Sequence, residues 1–275
     1  MAYTQEQLRA LAEISLSGEL EGHSIDPFCA THPGITEAEG YLGQEIRMRL
    51  LEEKGHRVVG YKLGGTSLAK VNQLKSTIYS DPNAVVPTSV LTYGRLFEYM
   101  QLPADAQLDG STRLHPKVEP EFAFIMGEAI EGAGVSAADV LMATERVVPA
   151  FEIIDSRFHN FKIGWRYDAL IDNTSAAAFK LGEGGVDPRK MDLNNIGMKL
   201  RFNGEYSGFG AGASIMGHPA RAVAELVRAL AARGYGLRKG DVILSGAIVA
   251  STPVRQGDVL RADFGHMGHV ELAVV

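Results

Sequence analysis

Residues 115–122 read HPKVEPEF and residues 147–155 read VVPAFEIID. Both have the texture of β-strands, in which alternate side chains share a face. The first sends Val118 and Phe122 one way, with Phe124 just beyond, and Lys117, Glu119 and Glu121 the other way. Neighbouring carboxylates repel and raise one another's pKa unless something neutralises them. Solvent does so on an open strand face; a divalent cation does so in a closed one. Pro120 removes a ladder donor, which predicts an edge or a bulge.

The second stretch is apolar apart from Glu152 and the closing Asp155. Val148, Ala150, Glu152 and Ile154 share one face; Val147, Phe151 and Ile153 share the other. A carboxylate in such surroundings must pair, bind a cation or go neutral. Two partners are open to Glu152: an Arg or Lys, or a metal shared with Glu119 and Glu121. Three carboxylates without cysteine or clustered histidine suit a hard cation, Mg²⁺ or Mn²⁺. This reading requires the two strands to meet.

Working outward, Thr4 with Gln7 and Thr36 with Glu39 form capping boxes before apolar residues at helical spacing. Gly55 closes the second helix. RVVGYKLGG (57–65), VLTYGRLFEYM (90–100) and AAAFKLG (176–182) read as strands. Ser136 caps a helix expected to run to about Arg146, and Asn203-Gly204 suits a two-residue type I′ hairpin turn. Pro219 opens an amphipathic helix that Gly234 ends, and the tail is short strands with Gly-Asp turns. The class is α+β, with a helical N-terminal region (1–56) on a β-rich catalytic domain (57–275). The 31 glycines fit a rolled or closed sheet.

Composition narrows the function classes. A net charge of −6 with scattered Lys and Arg argues against a nucleic-acid partner. A single cysteine, Cys29, leaves no intrachain disulfide and no cysteine metal site. With no secretory or membrane-spanning run, the expectation is a cytoplasmic protein without a membrane partner. P-loop, GxSxG and dinucleotide fingerprints are all missing.

Other residues invite a role. Lys62 stands in an apolar, glycine-flanked strand, where it either faces a cleft or snorkels to the surface. Residues 155–175 gather Arg157, His159, Lys162 and Arg166 with Asp155, Asp168, Asp172 and Asn173. Such a segment is either a solvated connection or a polar cover whose cations hold a substrate carboxylate. Glu98 adds a carboxylate to an apolar context. His115 and His218, each beside a proline, suit packing or capping.

Six segments occur in order: GYKLGGTSLAK (60–70), LHPKVEPEFAF (114–124), PAFEIIDSRF (149–158), ALIDNTS (169–175), GHPARAVAELVRALAARG (217–234) and GDVILSGAIVASTPVRQGD (240–258). Together they resemble the hydratase/decarboxylase branch of the fumarylacetoacetase superfamily, over nearly the whole chain from about residue 36. The resemblance implies a β-rich roll or barrel with flanking helices. It implies Mg²⁺ or Mn²⁺ held by Glu119, Glu121 and Glu152, and a catalytic lysine at Lys62. Glu98 falls where the family usually has a catalytic Asp. Thr66 and Ser67, in Gly-Gly-Thr-Ser for the usual Gly-Leu-Thr-Ser, are implied to bind substrate with Lys117. Asn173 and Ser175, in Asp-Asn-Thr-Ser for the usual Asp-Asn-Ala-Ser, join them.

The branch acts in aromatic meta-cleavage pathways. Its decarboxylases take 2-oxo-3-hexenedioate (4-oxalocrotonate), and its hydratases take 2-hydroxypenta-2,4-dienoate. His-Pro-Lys before the acids and Asp-Ser-Arg-Phe after them favour the decarboxylases, with Arg157 or Lys162 to bind the second carboxylate. A hydratase is the alternative. A C–C hydrolase using His32, or a non-catalytic binding module with Glu152 paired to arginine, are further ones. Members assemble into homo-oligomers, and some decarboxylases pair with a partner hydratase.

Overall fold

Both N-terminal helices begin on the caps expected of them. Thr4 accepts from the Gln7 amide while the Gln7 side chain accepts from Thr4 N, opening α1 (Gln5–Glu21). Thr36 and Glu39 do the same for α2 (Glu37–Glu53). The computed structural model describes residues 2–78, 91–164 and 167–275.

After the helices come β1 (Val58–Gly64), α3 (Leu68–Ile78), β2 (Thr92–Phe97), β3 (Gln101–Leu102) and β4 (Lys117–Met126). Next are α4 (Ala137–Ala143), β5 (Thr144–Ile154), α5 (Asp168–Ile171), β6 (Ala176–Leu181) and β7 (Glu183–Gly184). β8 (Gly197–Phe202) and β9 (Glu205–Ala211) enclose the Asn203-Gly204 turn, whose residues have φ of 52° and 89° as a type I′ turn requires. The chain ends with α6 (Pro219–Ala231), β10 (Val242–Leu244), β11 (Thr252–Pro253), β12 (Val259–Asp263) and β13 (Gly268–Ala273).

Two expectations shift. The helix capped by Ser136 stops at Ala143, because Thr144 and Arg146 already pair with Met126 and Ile125 of β4. The strand outcompetes the helix because its ladder continues into the central sheet. The other is α3, since the sequence reading passes from the strand ending at Gly65 to the one starting at Val90 without a helix; Ser67 Oγ accepts from Lys70 N at 3.3 Å at its start.

The larger sheet runs β2-β1-β10-β4-β5-β6-β3, with β11 also on β4, and curls into a half-barrel. The smaller runs β7-β13-β12-β8-β9. One face of the larger sheet supplies Val118, Phe122, Phe124, Phe151 and Ile153 to a core shared with α6 and the smaller sheet. The other supplies Ala123, Val148, Ala150, Phe179 and Leu244 to a core shared with α1 and α2 through Leu8, Leu11, Leu16 and Leu51. Among the described residues no helix is long and apolar enough to cross a membrane.

Pro120 corrects the edge-strand expectation. β4 is central, with β5 along its whole length on one side. On the other side β10 covers Ala123 to Ile125 and β11 covers Lys117 and Val118, leaving a gap between them. Pro120 O accepts from Ile248 N of the connecting loop at 3.2 Å. A strand residue's N–H and C=O point to the same side, so the missing donor of Pro120 falls in this gap and costs no ladder bond.

A buried ionic network ties the helices to the sheet. Arg157 Nε donates to Asp172 Oδ1 at 2.5 Å, and Arg157 Nη1 donates to Asp155 O at 2.7 Å and Ala176 O at 3.1 Å. Ser15 of α1 also donates to Asp172, while Arg47 of α2 pairs with Glu19 of α1, which accepts from Tyr99 as well. Removing one member of such a network leaves a buried charge uncompensated. Arg157→Ala is therefore expected to destabilise the fold by about 3–5 kcal/mol, measured by urea denaturation. A change below about 1 kcal/mol, the scale of an exposed pair, would show that the guanidinium is not a structural clamp.

Candidate functional site

The register of β4 on β5 sets Glu119 directly opposite Glu152 and Glu121 opposite Ala150. Cross-strand partners share a face, so all three glutamates project from one side of the sheet. Each offers a carboxylate oxygen, and the three oxygens lie within 4.8 Å of one another. The exposures are 2% for Glu119 and 0% for Glu121 and Glu152, so water cannot neutralise them.

Ammonium groups come from two other elements. Lys62 of β1, 3% exposed, lies with Nζ 2.9 Å from Glu152 Oε1. It reaches the same face because Lys62 pairs with Leu244 of β10, and Leu244 pairs with Ala123 of β4. Lys70, in the first turn of α3, pairs with Glu119. Sequence reasoning passed over Lys70. Its signal was the Ser67-x-x-Lys70 spacing, which places the side chain one helical turn from the glycine loop.

Electrostatics follow from burial. Desolvation pushes Glu121 well above the ordinary carboxylate range, and Glu152 and Glu119 add to it against the Gly246 amide and Lys62. Burial likewise raises Glu152, opposed chiefly by Lys62 and reinforced by Glu119. Lys62 is raised: burial lowers it, but Glu152, Glu119 and Glu121 more than offset that. Glu121 Oε2 accepts from Gly246 N at 2.6 Å. Gly246 has φ of +105° and packs onto Thr66, where a Cβ would collide with Thr66 Oγ1. Glu121 Oε1 and Glu152 Oε2 have no hydrogen-bond partner among the described residues. Two orphaned buried oxygens within an all-oxygen donor set suit a hard divalent cation.

The remaining candidates divide. Thr66 Oγ1 donates to Ser245 O at 3.1 Å, and Thr66 and Ser67 line an adjoining cavity of about 610 Å³ with Leu68, Phe209 and Ile248. Lys117 lies on the glutamate face, its Nζ 3.8 Å over the Phe161 ring. Burial depresses its pKa, Lys70 adds to this, and Glu119 opposes it. Asn173 and Ser175 are buried in a turn with φ of 50°, 51° and 61° at residues 173–175. Asn173 bonds the backbone N and O of Arg95, in room left by Gly94, the strand partner of Lys62. This turn supports the Lys62 strand.

Four candidates stand apart from the glutamates. Glu98 follows β2 at the far end from Gly94, bonded to His56 Nδ1 at 3.0 Å and Arg57 N at 2.6 Å. Those two partners outweigh burial and hold its pKa low. The guanidinium of Arg157 is held by the ionic network, and Lys162 is exposed. His32 bonds Thr31 and lies against the Tyr3 ring at a tilt of 46°. Arg166 lies outside the described residues.

The raised carboxylates give a signed pH dependence. A group whose folded pKa exceeds its unfolded value stabilises the fold below the unfolded value, here 4.5 for Glu121, and loses that contribution as pH rises through the folded value. Chelator-treated protein is thus expected to lose stability as pH rises above 4.5, read as a falling urea midpoint. Glu121→Gln, a neutral isostere, should flatten this slope. An unchanged slope in the variant would assign the pH dependence elsewhere.

Comparison with known proteins shows the family. Residues 69–275 match the model of the fumarylacetoacetate (FAA) hydrolase C-terminal family. A 4-oxalocrotonate decarboxylase of Pseudomonas sp. (strain CF600) is 38% identical over 256 residues, 93% of this chain and 92% of that protein. A 2-keto-4-pentenoate hydratase of Paraburkholderia xenovorans (strain LB400) is 34% identical over 268 residues, 97% of this chain and 94% of that protein. The solved 4-oxalocrotonate decarboxylase of Pseudomonas putida G7, complexed with magnesium and adipate, superposes with a TM-score of 0.90 at 33% identity, covering 100% of this chain and 99% of that one. With the glutamate-bearing sheet and the match over three-quarters of its length, the chain belongs to the fumarylacetoacetate hydrolase C-terminal family.

Proposed function

We propose that this protein is a divalent-metal-dependent lyase that decarboxylates 2-oxo-3-hexenedioate (4-oxalocrotonate) to 2-hydroxypenta-2,4-dienoate. The observation that carries this reading is the buried triad of Glu119, Glu121 and Glu152 with Lys62 beside it. Full-length likeness to a decarboxylase complexed with magnesium and adipate, a dicarboxylate, supports it.

In this reading the three glutamates hold Mg²⁺ or Mn²⁺. The bound cation supplies Lewis-acid chemistry, drawing electron density to the substrate's 2-oxo oxygen. Lys62 presents its ammonium to the oxyanion that develops there and delivers the proton that makes the product a dienol. Burial keeps water away and strengthens that donation. The Gly246 amide fixes Glu121, and the 173–175 turn fixes the strand that carries Lys62. The hydratase relative, similar over nearly the same length, favours a second reading in which the same glutamates and lysine serve water addition to the dienol.

The deciding experiment offers both substrates to the protein with Mg²⁺. CO₂ release from 2-oxo-3-hexenedioate that a chelator abolishes is the expected result; dienol consumption without CO₂ release would establish the hydratase. Under the first outcome Lys62→Ala should lower kcat by about 10²–10³-fold, the scale of losing one transition-state donor. Glu152→Gln should remove metal-dependent turnover, and either variant at full activity would overturn the assignment.

A further inference from the structure

We propose that Lys70 and Lys117 form an anion subsite beside the three glutamates, and that it holds the substrate carboxylate that departs as CO₂. The inference rests on the decarboxylase reading and replaces Arg157 and Lys162 as the cations for that group.

Lys70 pairs with Glu119, one of the three carboxylates that would hold the cation. A cation there competes with the ammonium for the same oxygen. Lys70 is 8% exposed, so on losing Glu119 it needs another anion close at hand. Lys117 lies two residues before Glu119 on the same face of β4, its ammonium on the Phe161 ring rather than on a carboxylate. A cation over an aromatic face keeps its attraction for a further anion. With a rise of about 3.4 Å per residue, Lys117 leaves the strand about 7 Å from Glu119. That matches the reach of a short diacid whose other end lies at the glutamates.

The charges favour a dianion. Glu119, Glu121 and Glu152 stand against Lys62, Lys70 and Lys117, three charges of each sign. A divalent cation adds two positive charges, and a dianionic substrate restores the balance; a monoanion leaves one positive charge over. In the reaction the bond to the departing carboxylate breaks. Its electron pair moves through the conjugated chain to the 2-oxo oxygen, and one proton is taken up there. Dianion plus proton becomes CO₂ plus a monoanion, so the subsite holds substrate better than product. Its contacts are made in the ground state and weaken as CO₂ forms, so they lower KM at some cost to kcat, and their removal should raise KM without lowering kcat.

The test compares 2-oxoadipate with 2-oxohexanoate, which differ only in the distal carboxylate, as ligands of the Mn²⁺-loaded protein by calorimetry. Wild type should prefer 2-oxoadipate by about tenfold or more, the worth of a charge-assisted contact. Lys117→Gln and Lys70→Gln should each lose most of that preference while 2-oxohexanoate binding moves by no more than about twofold. Lys70→Gln should also bind Mn²⁺ more tightly than wild type without any organic ligand, because a competing ammonium is gone. Lys117→Met keeps the stem that packs on Phe161 and serves if the glutamine variant fails to fold, as read by circular dichroism. Variants that keep the wild-type preference would overturn the subsite while metal-dependent 2-oxoadipate binding left the decarboxylase reading standing. A wild type that binds neither 2-oxo acid in a Mn²⁺-dependent way would overturn both.

Discussion

Three carboxylates with almost no access to water must be held together on one face of a sheet, and much of the molecule answers to that constraint. Mutual repulsion and lost hydration both oppose such a cluster. Lys62 and Lys70 approach it from separate elements, and the Gly246 amide adds a third positive contact. Each contact sets a local demand. Lys62 needs β1 in register through β10, Lys70 needs α3 to start at once after the glycine loop, and the amide needs a backbone with positive φ. The cluster is thereby assembled from four parts of the chain that lie far apart in sequence.

The helical region belongs to the same solution. The face that carries the glutamates is apolar farther along, and α1 and α2 cover it there. Their attachment is ionic as well as apolar, through Arg157, Asp172, Arg47 and Glu19. Arg157 follows directly on β5, the strand of Glu152. The element that carries a ligand candidate thus also carries the anchor for its cover, and rigidity passes from one to the other over five residues of chain.

Much of this was legible in the sequence, for identifiable reasons. Glu119, Glu121 and Glu152 stood out because a period of two assigns side chains to faces without any knowledge of partners. The caps at Thr4, Thr36 and Ser136 and the Asn203-Gly204 turn are local chemistry and read locally. Partner choice is another matter. Glu98 and Arg157 looked available because their types and neighbours suit a site, yet Glu98 lies beyond the end of β2 distant from Lys62 and Arg157 is consumed by Asp172. Lys70 was invisible for the converse reason, since its value depends on a tertiary contact with Glu119. Pro120 misled because proline in a strand signals an edge, whereas here it faces an internal gap between two short strands.

That gap bears on local stability. Along β4 the β5 side is sealed by a ladder from Lys117 to Met126, but the other side at Pro120 and Glu121 is crossed only by the loop between β10 and β11. The loop is held to this stretch by a few bonds, from Ser245 N to Phe122 O, Gly246 N to Glu121 and Ile248 N to Pro120 O. Breaking a handful of contacts is far cheaper than unfolding the sheet. Local opening of this segment is therefore easier than opening of the β4–β5 ladder, so the backbone beside Glu121 is held less firmly on this side than on the other. An uninterrupted strand across β4 would instead have tied the stretch that carries Glu121 into a ladder on both sides.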